Sequence, residues 1–92
     1  MEYYATVGYQ SPWTKDNRRN EIWLVKAHKT EEVAILAANK VSGGVNSEQK
    51  VSPLETISYE VLDSKEVSDE KYQKYFIKTS QAKYLPYVVQ IL

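Results

Sequence analysis

The sequence predicts an α+β fold, a small antiparallel sheet with one main helix packed on one face, in the order β-β-α-β-α-β. Three observations carry this expectation. Two stretches, residues 3–10 and 55–62, alternate apolar and polar side chains with the period of a strand; the stretch after Thr30 repeats with the period of a helix; and 92 residues give room for one core. A single domain over 1–92 is expected. At 42% hydrophobic and 26% charged residues, the composition is that of a chain that folds on packing rather than one that stays disordered.

Tyr3 to Gln10 sets Tyr3, Ala5, Val7 and Tyr9 on one face and Tyr4, Thr6, Gly8 and Gln10 on the other. Ser11-Pro12 ends that strand, since proline has no N–H for a ladder. The polar stretch from Trp13 to Asn20 then reads as a projecting hairpin tip. A second strand runs from Glu21 to Ala27, and its four consecutive apolar residues, Ile22 to Val25, suggest cover on both faces.

Thr30 is suited to cap a helix, with Glu31 and Glu32 in the first turn, where carboxylates favour the positive end of the helix dipole. Val33, Leu36, Ala37 and Val41 mark the expected inner face, with Ala34 and Ala38 widening the stripe, so Leu36→Ala is expected to cost about 2–4 kcal/mol. Ser42-Gly43-Gly44 reads as the stop. Ile57, Tyr59 and Val61 point inward on the next strand, and Thr56, Ser58 and Glu60 outward. Ser68 resembles a second cap, with Asp69 and Glu70 in a first turn and Tyr72, Tyr75 and Phe76 on one stripe. This predicts a short helix from Asp69 to about Ile77, with a strand through 75–77 as the competing reading. Tyr87 to Leu92 closes the sheet. Trp23, Val25, Ile57, Tyr59 and Val61 are expected to form the core with the helix.

Most enzyme classes find no support in the residues present. Without cysteine there is no disulfide, thiolate zinc site or thiol nucleophile, and His28 is the only histidine. No serine sits in a G-x-S-x-G elbow, and Gly43-Gly44 follows a helix instead of preceding one, so it forms no phosphate loop. No catalytic residue, metal or organic cofactor is expected. The N-terminus has neither the basic nor the apolar segment of a signal peptide, and no apolar run is long enough to span a bilayer, so a cytoplasmic location and no membrane are expected.

Charge is distributed unevenly about a formal total of zero: basic in residues 1–30, acidic in 31–70 and basic again in 71–92. Two surfaces follow. In the loop after Pro12, Trp13 shares a polar tip with Lys15, Arg18 and Arg19, the residue types that dominate protein hot spots and that also stack on bases and pair with phosphates. Asp63, Glu66, Asp69 and Glu70 form the second. They lack the spacing and glycine of an EF-hand, and they fit a solvated helix start or a partner surface. A third feature is the interleaving of Tyr72, Tyr75, Tyr84 and Tyr87 with Lys71, Lys74, Lys78 and Lys83, which fits nucleic acid, an acidic partner or the rim of a core.

A strand, a divergent hairpin, a strand ending in Ala27, the helix Thr30-Glu31-Glu32-Val33-Ala34-Ile35-Leu36-Ala37-Ala38 and the strand Ile57-Ser58-Tyr59-Glu60-Val61 resemble small proteins encoded by bacteriophages and other mobile elements. The likeness spans residues 3–65. Some such proteins are anti-CRISPR or other anti-defence inhibitors that occupy the surface of a host nucleoprotein complex. The resemblance implies a non-catalytic protein-binding module acting by occlusion, and it carries over no functional residues. The alternative is a small nucleic-acid binder using the Trp13/Arg18/Arg19 loop and the C-terminal lysines, which the zero total charge disfavours.

Overall fold

The computed structural model describes residues 2–9, 19–62, 66–76 and 83–92. Strand β1 (Tyr3–Tyr9) alternates as expected, yet both of its faces are buried: Ala5 and Val7 on one side, Thr6 and Gly8 on the other. A strand in an open sheet under one helix would leave one face wet. Here one face lines the inside of a barrel and the other lies beneath the helix.

Strands β2 (Arg19–His28), β3 (Glu55–Val61), β4 (Glu66–Asp69), β5 (Tyr72–Phe76) and β6 (Tyr84–Ile91) follow, with helix α1 (Glu31–Asn46) between β2 and β3. Neighbours in the chain pair antiparallel throughout, and β6 returns to β1, from Tyr3 opposite Gln90 to Tyr9 opposite Tyr84. The result is a closed six-stranded barrel with one helix outside, not the α+β sheet of order β-β-α-β-α-β. Closure pairs the two outer strands with each other, which leaves neither as an exposed edge.

The expected second helix is β4, a turn and β5. Tyr72, Tyr75 and Phe76 satisfy helical spacing, but β5 pairs on both sides, with β4 from Glu66 opposite Tyr75 and with β6 from Tyr72 opposite Ile91. Ser68 and Asp69 end a strand instead of capping a helix. Two ladders at once outweigh the marginal stability of a helix little over two turns long.

Inside the barrel, Ile22 and Leu24 meet Ile57, Tyr59, Val67, Leu85, Tyr87 and Val89, with Tyr4 and Tyr72 packed partly against them. Each aliphatic side chain fully buried there contributes roughly 1.5–3 kcal/mol. Trp23 and Val25, on the other face of β2, are only half-buried, and the Val61 side chain lies outside the described residues. Gly8 is required by this packing. A β-carbon at that position would strike Cγ2 of Ile22 and sit 3.0 Å from Cε2 of Tyr87, and a β-branched methyl held in a strand has little room to yield.

The helix begins as expected: Thr30 is extended (φ −128°, ψ 150°) and its hydroxyl accepts from the Val33 N–H at 3.4 Å. Its packed face is shifted from the centre of the expected stripe to the alanines at its margin. Ala34, Ala38 and Ser42 are buried against the outer faces of β1 and β6, while Val33 is 49% and Leu36 71% exposed. Small side chains let the helix backbone lie close to the convex barrel wall over Ala5, Val7 and Val88, where a leucine would hold it off.

Nor does α1 stop at Gly43-Gly44. It runs to Asn46 and ends in a Schellman turn in which Glu48, at φ 65°, takes the left-handed position usually given to glycine; Glu48 N–H donates to Val45 O and Gln49 N–H to Gly44 O. The last turn is tied to β6. Ser42 Oγ donates to Tyr84 O at 3.0 Å, and the Asn46 amide donates to Tyr84 O and accepts from Tyr84 N–H at 2.9 and 3.0 Å. Asn46 thereby serves the Tyr84 peptide as a paired strand would.

Gly8→Ala is expected to destabilise by about 2–3 kcal/mol, whereas Leu36→Ala, on the exposed face, stays within about 0.5 kcal/mol of the parent. Urea denaturation of both variants checks the pair, and the reverse order would contradict this placement of the two residues.

Candidate functional site

The strands of the ring differ in length. β3 has seven residues and β4 four, and the ladder between them holds only the pairs Glu60–Ser68 and Val61–Val67. The Leu62 N–H donates to Glu66 O at 2.9 Å and sets the phase of the strand. By alternation, the N–H and C=O of Glu60, Ser58 and Thr56 point toward the β4 side and those of Tyr59, Ile57 and Glu55 toward β2. β2 is paired with all of Glu55–Glu60, but β4 turns away after Asp69, so among the described residues no strand is paired with Ser58 or Thr56 on that side.

A cleft of about 530 Å³ opens there, lined by Ser58, Tyr59, Glu60, Ser68, Asp69 and Glu70. A second, of about 340 Å³, shares Ser68 and Asp69 and adds Glu66, Tyr72 and the exposed Leu62 and Leu92, so β4 stands between the two. The lower end of the seam is bridged by the Tyr72 hydroxyl, which donates to Glu55 Oε1 at 3.4 Å. Burial, and then the Glu55 charge, raise the Tyr72 pKa above the ordinary phenol value. Tyr4 is raised too, chiefly by donating to Glu2 at 3.0 Å.

Asp69, at the end of β4, and Glu70, in the turn to β5, therefore line the first cleft together, while Glu66, at the other end of β4, lines the second. They do so as a strand and turn, not as a solvated helix start. Ser58 and Glu60 join them from β3, and Ser68 from β4 itself. The outward alternation of Thr56, Ser58 and Glu60 was the sequence signal for two of these, but nothing local showed that β4 ends short of them. Arg19 opens β2 with its backbone opposite Glu60, on the far side of β3 from the cleft. Trp13, Lys15, Arg18 and Asp63 lie outside the described residues.

Elsewhere, the rings of Trp23 and Tyr84 lie 5.6 Å apart on the barrel exterior, with Lys83 Nζ 5.5 Å from the Tyr84 ring centre. Among the described residues no group of three or more His, Asp or Glu side chains comes together as a metal set, and no helix is long and apolar enough to cross a membrane. His28 ends β2 half-buried. No protein family model, curated protein or solved structure matches the chain.

The barrel interior holds a polar pair. The Tyr59 and Tyr87 hydroxyls are 3.4 Å apart, their rings tilted at 53° with centres 6.0 Å apart; burial pushes the Tyr59 phenol far above its ordinary pKa and raises that of Tyr87, whose hydrogen bond to Tyr59 partly offsets the rise. A phenol raised in the folded state is neutral in both states below pH 10 and costs nothing there. Above the unfolded pKa of about 10, the unfolded chain loses a proton that Tyr59 keeps in the folded one, and stability falls by about 1.4 kcal/mol per pH unit on its account. Urea midpoints are expected to hold from pH 7 to 9.5 and to drop between pH 10 and 11.5. Tyr59→Phe should flatten that drop, and an equal drop in the variant would contradict the assignment.

Proposed function

We propose that the chain is a non-catalytic protein-binding module whose interface is the acidic seam between β3 and the β4–β5 hairpin. One observation carries this reading: the cleft at the seam gathers Glu60, Asp69 and Glu70 with two serines, and no basic side chain is among its described lining residues. Such a surface repels nucleic acid and attracts a basic partner, and charge complementarity of this kind sets on-rate and partner choice. A narrower form, occlusion of a host defence complex in the bacterial cytoplasm, rests on the resemblance over residues 3–65. Carboxylates occupying a groove built for a polyanion would achieve it.

A second reading has its own observation. Trp23, Tyr84 and Lys83 place two aromatic rings and a cation together on the outer wall, the combination on which single-stranded nucleic acid stacks.

The triple variant Glu60→Gln, Asp69→Asn, Glu70→Gln decides between them. Each change is on the surface and should alter stability by about 0.5 kcal/mol or less. A partner retained by the parent from nuclease-treated lysate is expected to be lost by the variant. Retention of nucleic acid by parent and variant alike, falling steeply with salt, would favour the second reading instead.

A further inference from the structure

We propose that the seam recognises its partner by strand addition: an extended segment rich in Lys or Arg pairs with the free edge of β3 at Thr56 and Ser58. This rests on the reading of the acidic seam as the interface. Both residues present an N–H and a C=O toward the cleft, and β4 reaches neither. Their peptide groups are spaced by two strand residues, about 6.7 Å, the repeat at which an incoming antiparallel strand offers its own donors and acceptors. Ser58 also lines the cleft, which leaves about 530 Å³ beside this edge, and an extended segment along an open strand is the arrangement strand addition uses.

The charges choose the occupant. An added strand would run alongside Glu60, Asp69 and Glu70, so cationic side chains on it are neutralised and acidic ones repelled. A second copy of this chain is a poor occupant, because pairing two β3 edges brings Glu55 and Glu60 of one copy against the same residues of the other. Main-chain pairing supplies affinity and the carboxylates supply selectivity, the division of labour usual in strand addition.

The full chain is titrated with a capped peptide of about seven residues alternating Lys and Thr, with the same peptide N-methylated at every second residue, and with a Glu-for-Lys version. The Lys peptide is expected to bind and to shift the Thr56 and Ser58 amide resonances. The N-methylated peptide should bind about tenfold or more weakly, as the loss of one or two backbone hydrogen bonds requires. The Glu peptide should not bind. Ser58→Pro, which removes only a cleft-facing donor, should weaken the Lys peptide similarly, and the N-methylated peptide gives the same information without altering the protein. Equal binding of the Lys peptide and its N-methylated form, no binding by the Lys peptide at millimolar concentration, or self-association through β3 would each overturn strand addition. If strand addition fails while the triple carboxylate variant still loses its partner, the acidic interface stands. If that variant keeps its partner, the interface reading itself is wrong.

Discussion

A closed ring of strands offers an edge where a strand outruns its neighbour, and the shortest ladder of this ring is such a place: β3 continues for about half its length beyond the end of β4. Every other seam is longer, from four residue pairs between β4 and β5 to seven between β1 and β6. Backbone hydrogen bonds that the longer ladders supply are therefore missing along this stretch of β3, and the gap coincides with the acidic cleft. Water satisfies exposed peptide groups at modest cost, so the gap is tolerable in isolation and available to a partner.

The rest of the molecule is arranged so that this gap does not unravel the ring. On the opposite wall, α1 covers β1 and β6 through Ala34, Ala38 and Ser42, and Asn46 completes the Tyr84 peptide where β5 has already ended. Inside, the strands meet around Tyr59 and Tyr87, and the Tyr87 ring and Ile22 occupy the space left by the missing side chain of Gly8. Tyr59 belongs to both regions. Its ring is buried in the core and its backbone lies next to the unpaired Ser58, so the cleft is built on one of the most firmly held residues of β3.

Local pattern showed β1, β2, β3 and the Thr30 cap clearly, because alternation and capping are properties of neighbouring residues. Closure is not. The pairing of Tyr3 with Gln90 joins residues at opposite ends of the chain, and no short window contains it. The helix face was misjudged for a related reason: Val33 and Leu36 are the more apolar stripe, but the barrel wall selects by fit and accepts the alanines. Gly43-Gly44 has the composition of a helix stop, yet the Asn46–Tyr84 contacts carry the helix past it. Tyr72 to Phe76 satisfies strand and helix periods at once, and tertiary pairing decided between them. For the site, the acidic run from Glu66 to Glu70 was legible as charge, whereas its geometry depends on where β4 ends, which the residue types do not encode.

Amide hydrogen exchange along β3 tests the open seam most directly. The amides of Ile57 and Tyr59 face β2 and those of Thr56 and Ser58 face the cleft, so protection is expected to alternate, high at 57 and 59 and close to that of an unstructured chain at 56 and 58. Uniform protection across 56–59 would show that the edge is already paired, and the proposed docking site would not exist.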